Sequence, residues 1–429
     1  MKEDKNGRDI GVSNSAEASV GAEILTANPV QRGIQFVKRQ QRAFKANMAR
    51  LLVSNFSISL TQQYQSIYIT ELGATPVELG FVTSLGGVAS TLITIPTGWL
   101  ADRYGIKKML LAGFSIAIIG YAIFGLAFQW QTTALALVAT TLAWQITRTV
   151  CPMICGTTLA SSERATGMQF CDTATAFPRL IAPVVGAYLI TRFGGISVEG
   201  IRPLYWLGVA GLVIATLIIL TFFKDPIRHE KRAPPKLLNG LKRVMKEGVM
   251  VKRWIAISTL SFLPQLMSIY VPLYAREVKG ASQYTLGLMD SAYWLLIFLL
   301  AIPTGLAADR IGKKKVINLL TAIYCVSLLL LVYAPSDAVL IASGLLSGCL
   351  WLTLVTQVSI WGDLIPMELF GSWSGLMGLF RGLTNIFSPI LGGLLWNSFG
   401  PEYVMYFLVA TQVARVLILA TIPSSVTGD

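Results

Sequence analysis

The chain is short of nearly everything that soluble enzymes use for chemistry. Its 429 residues include one histidine, His229, five cysteines and only 13% charged side chains. A lone histidine in a basic stretch excludes histidine-based metal sites and histidine proton relays. The cysteines, Cys151, Cys155, Cys171, Cys325 and Cys349, form no Cys-x-x-Cys pair; all fall in apolar stretches, where they read as small packing residues. No Gly-x-x-x-x-Gly-Lys-Ser/Thr loop occurs, and no nucleophile and base or cluster of metal ligands suggests an enzyme. No cofactor and no metal are expected. Residues 1–33 lack the apolar core of a cleavable signal, so 1–47 is expected to be a disordered cytoplasmic tail with a basic, amphipathic end.

What the chain does have is apolar length. It is 54% hydrophobic with a mean hydropathy of +0.61, too apolar for a soluble protein of this size. A helix needs about 20 apolar residues to cross a ~30 Å hydrocarbon core. Segments of that kind run at 51–70, 76–100, 108–128, 133–158, 166–190, 203–223, 254–275, 283–307, 315–334, 338–361, 373–396 and 402–422. Twelve spans are predicted. The formal charge of +13 would suit a nucleic-acid partner, but its distribution says otherwise. With both termini cytoplasmic, Arg103, Lys107, Lys108, Arg164, the run from Lys224 to Arg253, Arg310 and Lys313 to Lys315 all fall inside; Arg192, Arg202, Arg276 and Lys279 remain outside. The charge reads as membrane topology, in a cell membrane, and no nucleic acid is expected.

The chain also repeats itself. At an offset of 207 residues, Gly73, Ala74, Leu79, Gly80 and Ser84 return as Gly280, Ala281, Leu286, Gly287 and Ser291. Pro96, Gly98, Ala101, Asp102, Arg103, Gly105, Lys107 and Lys108 return as Pro303, Gly305, Ala308, Asp309, Arg310, Gly312, Lys314 and Lys315. At 206, Pro183, Gly186, Phe193 and Gly194 match Pro389, Gly392, Phe399 and Gly400. Two parallel six-helix halves are therefore expected, at 48–224 and 254–423, joined by a basic cytoplasmic linker at 225–253 and followed by a short tail at 424–429. The segment from Gly98 to Lys108, echoed from Gly305 to Lys315, resembles the signature loop between helices 2 and 3 of the major facilitator superfamily, whose twelve-span, two-half plan also fits. The resemblance covers residues 48–423.

In that loop Gly98 allows close approach to its helix, Gly105, repeated as Gly312, permits a tight turn, and Asp102 stands where a carboxylate could face a helix N-terminus. The resemblance implies that Asp102 faces the start of span 11 and Asp309, beside Gly305, the start of span 5. Arg103 and Arg310 would then reach Glu368 and Glu163, forming paired cytoplasmic latches that open and close with access.

Polar residues within spans indicate where a solute would bind, because they are costly unless they pair or line a cavity. Span 1 carries Asn55, Ser59, Gln62, Gln63 and Ser66, and span 7 carries Ser258, Ser261, Gln265 and Ser268, at near-helical spacing. Both stripes are expected to face a central cavity, together with Tyr64, Trp144, Trp294, Arg148, Arg381 and Asn385. Interhelical hydrogen bonding is the competing use of each. At ~1.5 Å per residue, Arg148 and Asp172 lie at depths that let them pair within the first half, and Arg179 and Asp290 at depths that let them bridge spans 5 and 8. Asp172, Arg179 and Asp290 are the candidates for proton coupling and gating, since a carboxylate poised between desolvation and an arginine can exchange a proton. The leading expectation is a monomeric secondary transporter for a small organic solute, with H⁺ as coupling ion and export as direction. A proton-coupled importer of an organic anion and a transport-dead sensor are the alternatives.

Overall fold

The computed structural model describes residues 38–159, 164–223, 249–364 and 370–422. Every regular element among these is an α-helix, and each of the twelve expected segments is helical. The first half consists of α1 (Arg42–Gln62), α2 (Gln65–Glu71), α3 (Pro76–Tyr104), α4 (Ile106–Leu126), α5 (Trp130–Thr158), α6 (Arg164–Arg192) and α7 (Val198–Phe222). The second consists of α8 (Val249–Leu266), α9 (Tyr270–Glu277), α10 (Gln283–Ile311), α11 (Lys313–Tyr333), α12 (Asp337–Ser347), α13 (Cys349–Leu364), α14 (Phe370–Ser398) and α15 (Pro401–Ala420). The first segment of each half is broken near its end, α1 from α2 and α8 from α9, the latter by a bend of 42°. The internal repeat thus survives as a repeated irregularity.

Nine helical stretches among the described residues are long and apolar enough to cross a membrane, and ten if the bent α8–α9 pair is one span. The chain is a multi-pass membrane protein. The helices α1 and α14 fall short of that criterion because they are the polar ones: Asn47, Arg50, Asn55 and Gln62 interrupt α1, and Arg381 and Asn385 interrupt α14. The last residues of the expected tail and of the expected linker are helical. Helix α1 begins at Arg42, inside the stretch read as tail, and α8 at Val249, inside the stretch read as linker. Charge ended those predictions too early, since the charged first turns are held by neighbours. Arg42 lies over the Phe222 ring at 5.1 Å, and Arg253 donates to the Thr421 carbonyl at 3.0 Å.

The α3–α4 and α10–α11 turns explain why glycine is needed there twice. Gly105 has φ 92° and ψ 155°, and Gly312 φ 101° and ψ 136°, a region that any Cβ makes costly. Each residue is at once the C-cap of one helix and the N-cap of the next. Gly105→Ala and Gly312→Ala are each expected to lose about 1–3 kcal/mol of stability. Thermal unfolding in detergent checks this, and unchanged midpoints would show that the turn tolerates a side chain. The lysines of the same loops have a structural task as well. Lys107 donates to the Leu220 carbonyl at 2.9 Å, and its repeat mate Lys314 to the Ile422 carbonyl at 2.8 Å. Both reach the C-terminal end of their half's last helix, whose carbonyls have no partner within the helix.

Inside each half, polar side chains stitch helices together. In the second, fully buried Arg415 donates to Ser261 Oγ at 3.0 Å and to Thr321 Oγ1, while Gln357 binds Ser258 at 3.0 Å and Ser261 at 2.6 Å. In the first, Arg50 donates to Asn47 Oδ1 at 2.5 Å and to the Cys151 sulfur at 3.9 Å. The Cys155 and Cys171 sulfurs approach to 3.5 Å, so three cysteines form one packed cluster between α5 and α6. Ser258 and Ser261 were expected in the cavity stripe. They are instead fully buried within the second half, because hydrogen bonds to Gln357 and Arg415 compete successfully for them.

The halves meet along α3 with α14 and α6 with α10. Near the Gly73–Gly280 end the approach is close enough to exclude side chains. A Cβ at Gly80 would stand 2.4 Å from the Pro389 carbonyl oxygen, and one at Gly287 2.7 Å from that of Pro183.

Candidate functional site

Arg179 is the centre of the first cluster. It lies on α6 between Pro178 and Pro183, and its guanidinium donates to Asn55 Oδ1 on α1, from Nε at 3.3 Å and from Nη2 at 3.1 Å. The same group lies over the Trp294 ring of α10 at 4.5 Å and the Trp144 ring of α5 at 5.6 Å. Trp294 packs in turn on Tyr293 and Trp351, with ring centroids 5.2 and 6.4 Å away. An arginine clasped by two indoles has its guanidinium plane held between the rings, each contact worth about 0.5–2 kcal/mol. Trp144 remains 43% exposed, so the box is open on that side.

Arg381 is the centre of the second. From α14 it donates through Nη2 to Gln265 Oε1 on α8 at 3.2 Å and lies over the Phe262 ring at 5.0 Å. Arg148, on α5, is exposed, and its positive charge repels both Arg179 and Arg381. Arg148 thus lies within electrostatic reach of one cation of each half, and the hydrogen-bond partners of Arg179 and Arg381 are neutral amides.

The carboxylates stand back from them. Asp290 on α10 is a half-buried electrostatic neighbour of Arg179, and Asp172 on α6 is an exposed one. Neither forms an ion pair with Arg179 or Arg148 among the described residues. The expected Arg148–Asp172 pair is thus not made: compatible depths along two helices leave the azimuth of each side chain open. In this conformation the expected Arg179–Asp290 bridge is replaced by the Arg179–Asn55 bond, which satisfies the guanidinium without the carboxylate.

Other expected cavity residues divide. Gln62 is exposed and Gln63 half-buried at the α1–α2 break. Tyr64 is not a cavity wall: it is fully buried, and its hydroxyl is bonded to the Pro183 and Gln283 carbonyls. Asn385 sits in the seam between halves, donating to Ser90 Oγ on α3 at 3.2 Å. Pro389, four residues on, removes the N–H that would bond the Asn385 carbonyl, and that carbonyl lies 2.6 Å from where a Gly87 Cβ would be. Of the expected latch, Glu163 and Glu368 lie outside the described residues, as do the surroundings of the Gly98 and Asp102 side chains. Asp309 and Arg310 are exposed, Gly305 faces open space, and Arg103 stacks on Tyr104 at 5.5 Å. Phe262, Ser90 and Tyr270 were missed, although Tyr270 repeats Tyr64 at the 206-residue offset and was findable from it.

The family model described as Major Facilitator Superfamily matches residues 49–288 and 279–424, together nearly the whole helical chain. The chain belongs to the major facilitator superfamily. It is similar to a probable galactarate/D-glucarate transporter of Bacillus subtilis, 23% identical over 398 residues that cover 81% of this chain and 84% of the relative. It is also similar to a multidrug resistance efflux pump of Streptococcus pneumoniae, 22% identical over 381 residues, covering 85% and 92%. Among solved structures, the nucleoside transporter NupG superposes with a TM-score of 0.75 at 14% identity, covering 89% of this chain and 98% of that one. As a member of the superfamily the chain is a secondary membrane transporter that works by alternating access, and not an enzyme.

Proposed function

We propose that the chain is a twelve-span transporter of the cell membrane, with both termini cytoplasmic, that imports a small organic anion together with a proton. Arg179 and Arg381, one from each half and both within electrostatic reach of Arg148, hydrogen-bond to the neutral amides Asn55 and Gln265 and lie over aromatic rings, and this pairing carries the reading. A charge in a membrane protein is costly and is retained where it has a use. Arginines without an ion-pair partner among the described residues supply counter-charge for an anionic cargo, and the Arg fork matches a carboxylate in two bonds.

The energetics of charge explain why import of an anion would need a coupled proton. Moving one negative charge into a cell against 100 mV, inside negative, costs about 2.3 kcal/mol. One proton carried with it cancels that cost, and Asp290 or Asp172 is the group available to carry it. Similarity to a sugar-diacid transporter supports the anionic cargo. Export of an apolar solute is the second reading, favoured by the indole wall of Trp144, Trp294 and Trp351 and by the similarity to efflux pumps. Proteoliposomes under an imposed inward proton gradient separate the two. Labelled mono- and dicarboxylates and sugar acids are expected to accumulate saturably and to be released by a protonophore. If neutral and cationic amphiphiles move and no anion does, the anion reading is wrong.

A further inference from the structure

The breaks that interrupt the first segment of each half each present a buried tyrosine, and the two are repeat mates. Tyr64 precedes α2 and Tyr270 begins α9; both are fully buried. The Tyr64 hydroxyl lies 3.2 Å from the Pro183 carbonyl oxygen of its own half and 3.0 Å from the Gln283 carbonyl oxygen of the other. The Tyr270 hydroxyl lies 2.6 Å from the Pro389 carbonyl oxygen of its own half and 3.2 Å from the Pro76 carbonyl oxygen of the other. Pro183 and Pro389 correspond at an offset of 206, and Pro76 and Gln283 at 207. The two halves therefore repeat the same contact of one hydroxyl with two carbonyls at the same end of the molecule.

We propose that Tyr64 and Tyr270 are a twofold-related pair of gate residues that hold the Gly73–Gly280 end of the transporter closed. A phenol has one proton to donate, so each hydroxyl serves two acceptors in competition. One acceptor moves with the tyrosine's own half and the other with the opposite half. When the halves separate, the hydroxyl loses the carbonyl across the seam and keeps the one beside it. The gate thus opens without leaving a buried donor unsatisfied, which would cost far more than one bond exchanged. Placement reinforces this. Gln283 and Pro76 are the first residues of α10 and α3, the helices whose Gly287 and Gly80 lie directly against Pro183 and Pro389. The clasp works against a repulsion at the same end, since Glu71 on α2 and Glu277 on α9, repeat mates themselves, repel each other across the halves. Closure is accordingly a balance and not a lock, as alternating access requires.

The inference rests on alternating access and not on the identity or charge of the cargo, so it is tested without one. Spin labels on cysteines replacing Gln129 and Ser336, exposed loop residues of opposite halves at this end, report its opening in a background free of native cysteines. Tyr64→Phe and Tyr270→Phe keep the ring and its packing and remove only the hydroxyl. Each is expected to raise the ratio of open to closed distances about twofold, because the hydroxyl keeps its own-half acceptor on opening and only the shared contact across the seam is lost, and the double variant about fourfold if the two clasps act independently. Thermal unfolding is measured alongside. A double variant with the parent's distance distribution overturns the proposal, and so does one that merely unfolds at lower temperature without a shift toward open distances. An opening produced by one tyrosine alone would refute the twofold pairing.

Discussion

Uptake of the anionic cargo by Arg179→Gln is expected to fall about 10- to 150-fold in kcat/KM, because the loss of a charge-assisted hydrogen bond is worth about 1.5–3 kcal/mol. Glutamine can still bond Asn55 from the same place on α6, so the deficit reports the charge and fork and not a collapsed helix. Arg179→Lys should recover part of it. Lysine restores a cation but neither the planar fork nor the stacking on Trp294 that orients it. Arg415→Met provides the contrast. Arg415 is fully buried among Ser261, Thr321 and the interior of the second half, so its loss should change stability and leave KM unaltered. Parent-like transport by Arg179→Gln, with the anion reaching its usual rate, would remove Arg179 from the binding site.

The second large effect is expected at Asp290. A gradient of one pH unit corresponds to 1.36 kcal/mol and can concentrate a cargo carried with one proton about tenfold. In Asp290→Asn that concentration ratio should fall to about one, while exchange of labelled for unlabelled cargo continues. The reason is geometric: Asp290 belongs to α10 of the second half and faces Arg179 electrostatically from across the interface, so its charge state biases how the halves sit. Asp172, on the same helix as Arg179 and exposed, is the alternative proton carrier, and Asp172→Asn should then show the loss instead. If both variants still accumulate cargo in response to a pH gradient, neither carboxylate carries the proton.

Much of the architecture could be read in one dimension. Hydropathy located the helices to within a turn or two at most ends, failing at Arg42 and Val249, where charged first turns were mistaken for tail and linker. Gly105 is legible as a tight turn, and its positive φ and that of its repeat mate Gly312 agree. The repeat supplied the rest of the plan. For the site, the sequence named the polar residues but sorted them poorly. Arg381 and Arg415 are both arginines inside apolar segments, yet one meets Gln265 within electrostatic reach of Arg148 while the other is sealed in a bundle of hydroxyls and amides. Tyr64 looked like a cavity aromatic and is a seam residue. Asn385 likewise spends its amide on Ser90 of the opposite half.

The division has a physical basis. Membrane insertion is a transfer of whole helices, and the signals that govern it (apolar length, flanking cations, glycine where φ must be positive) are local in the chain. The sequence by itself therefore determined that this protein spans a membrane, that it is built twice over, and that it keeps rare charges within its spans. Which face of a helix meets which partner depends on packing between elements hundreds of residues apart, and several arrangements satisfy the same depths. Only the tertiary structure decided that Arg179 bonds Asn55 and makes no ion pair with Asp290, that Arg381 meets Gln265, and that the hydroxyls of Tyr64 and Tyr270 each reach a carbonyl of both halves.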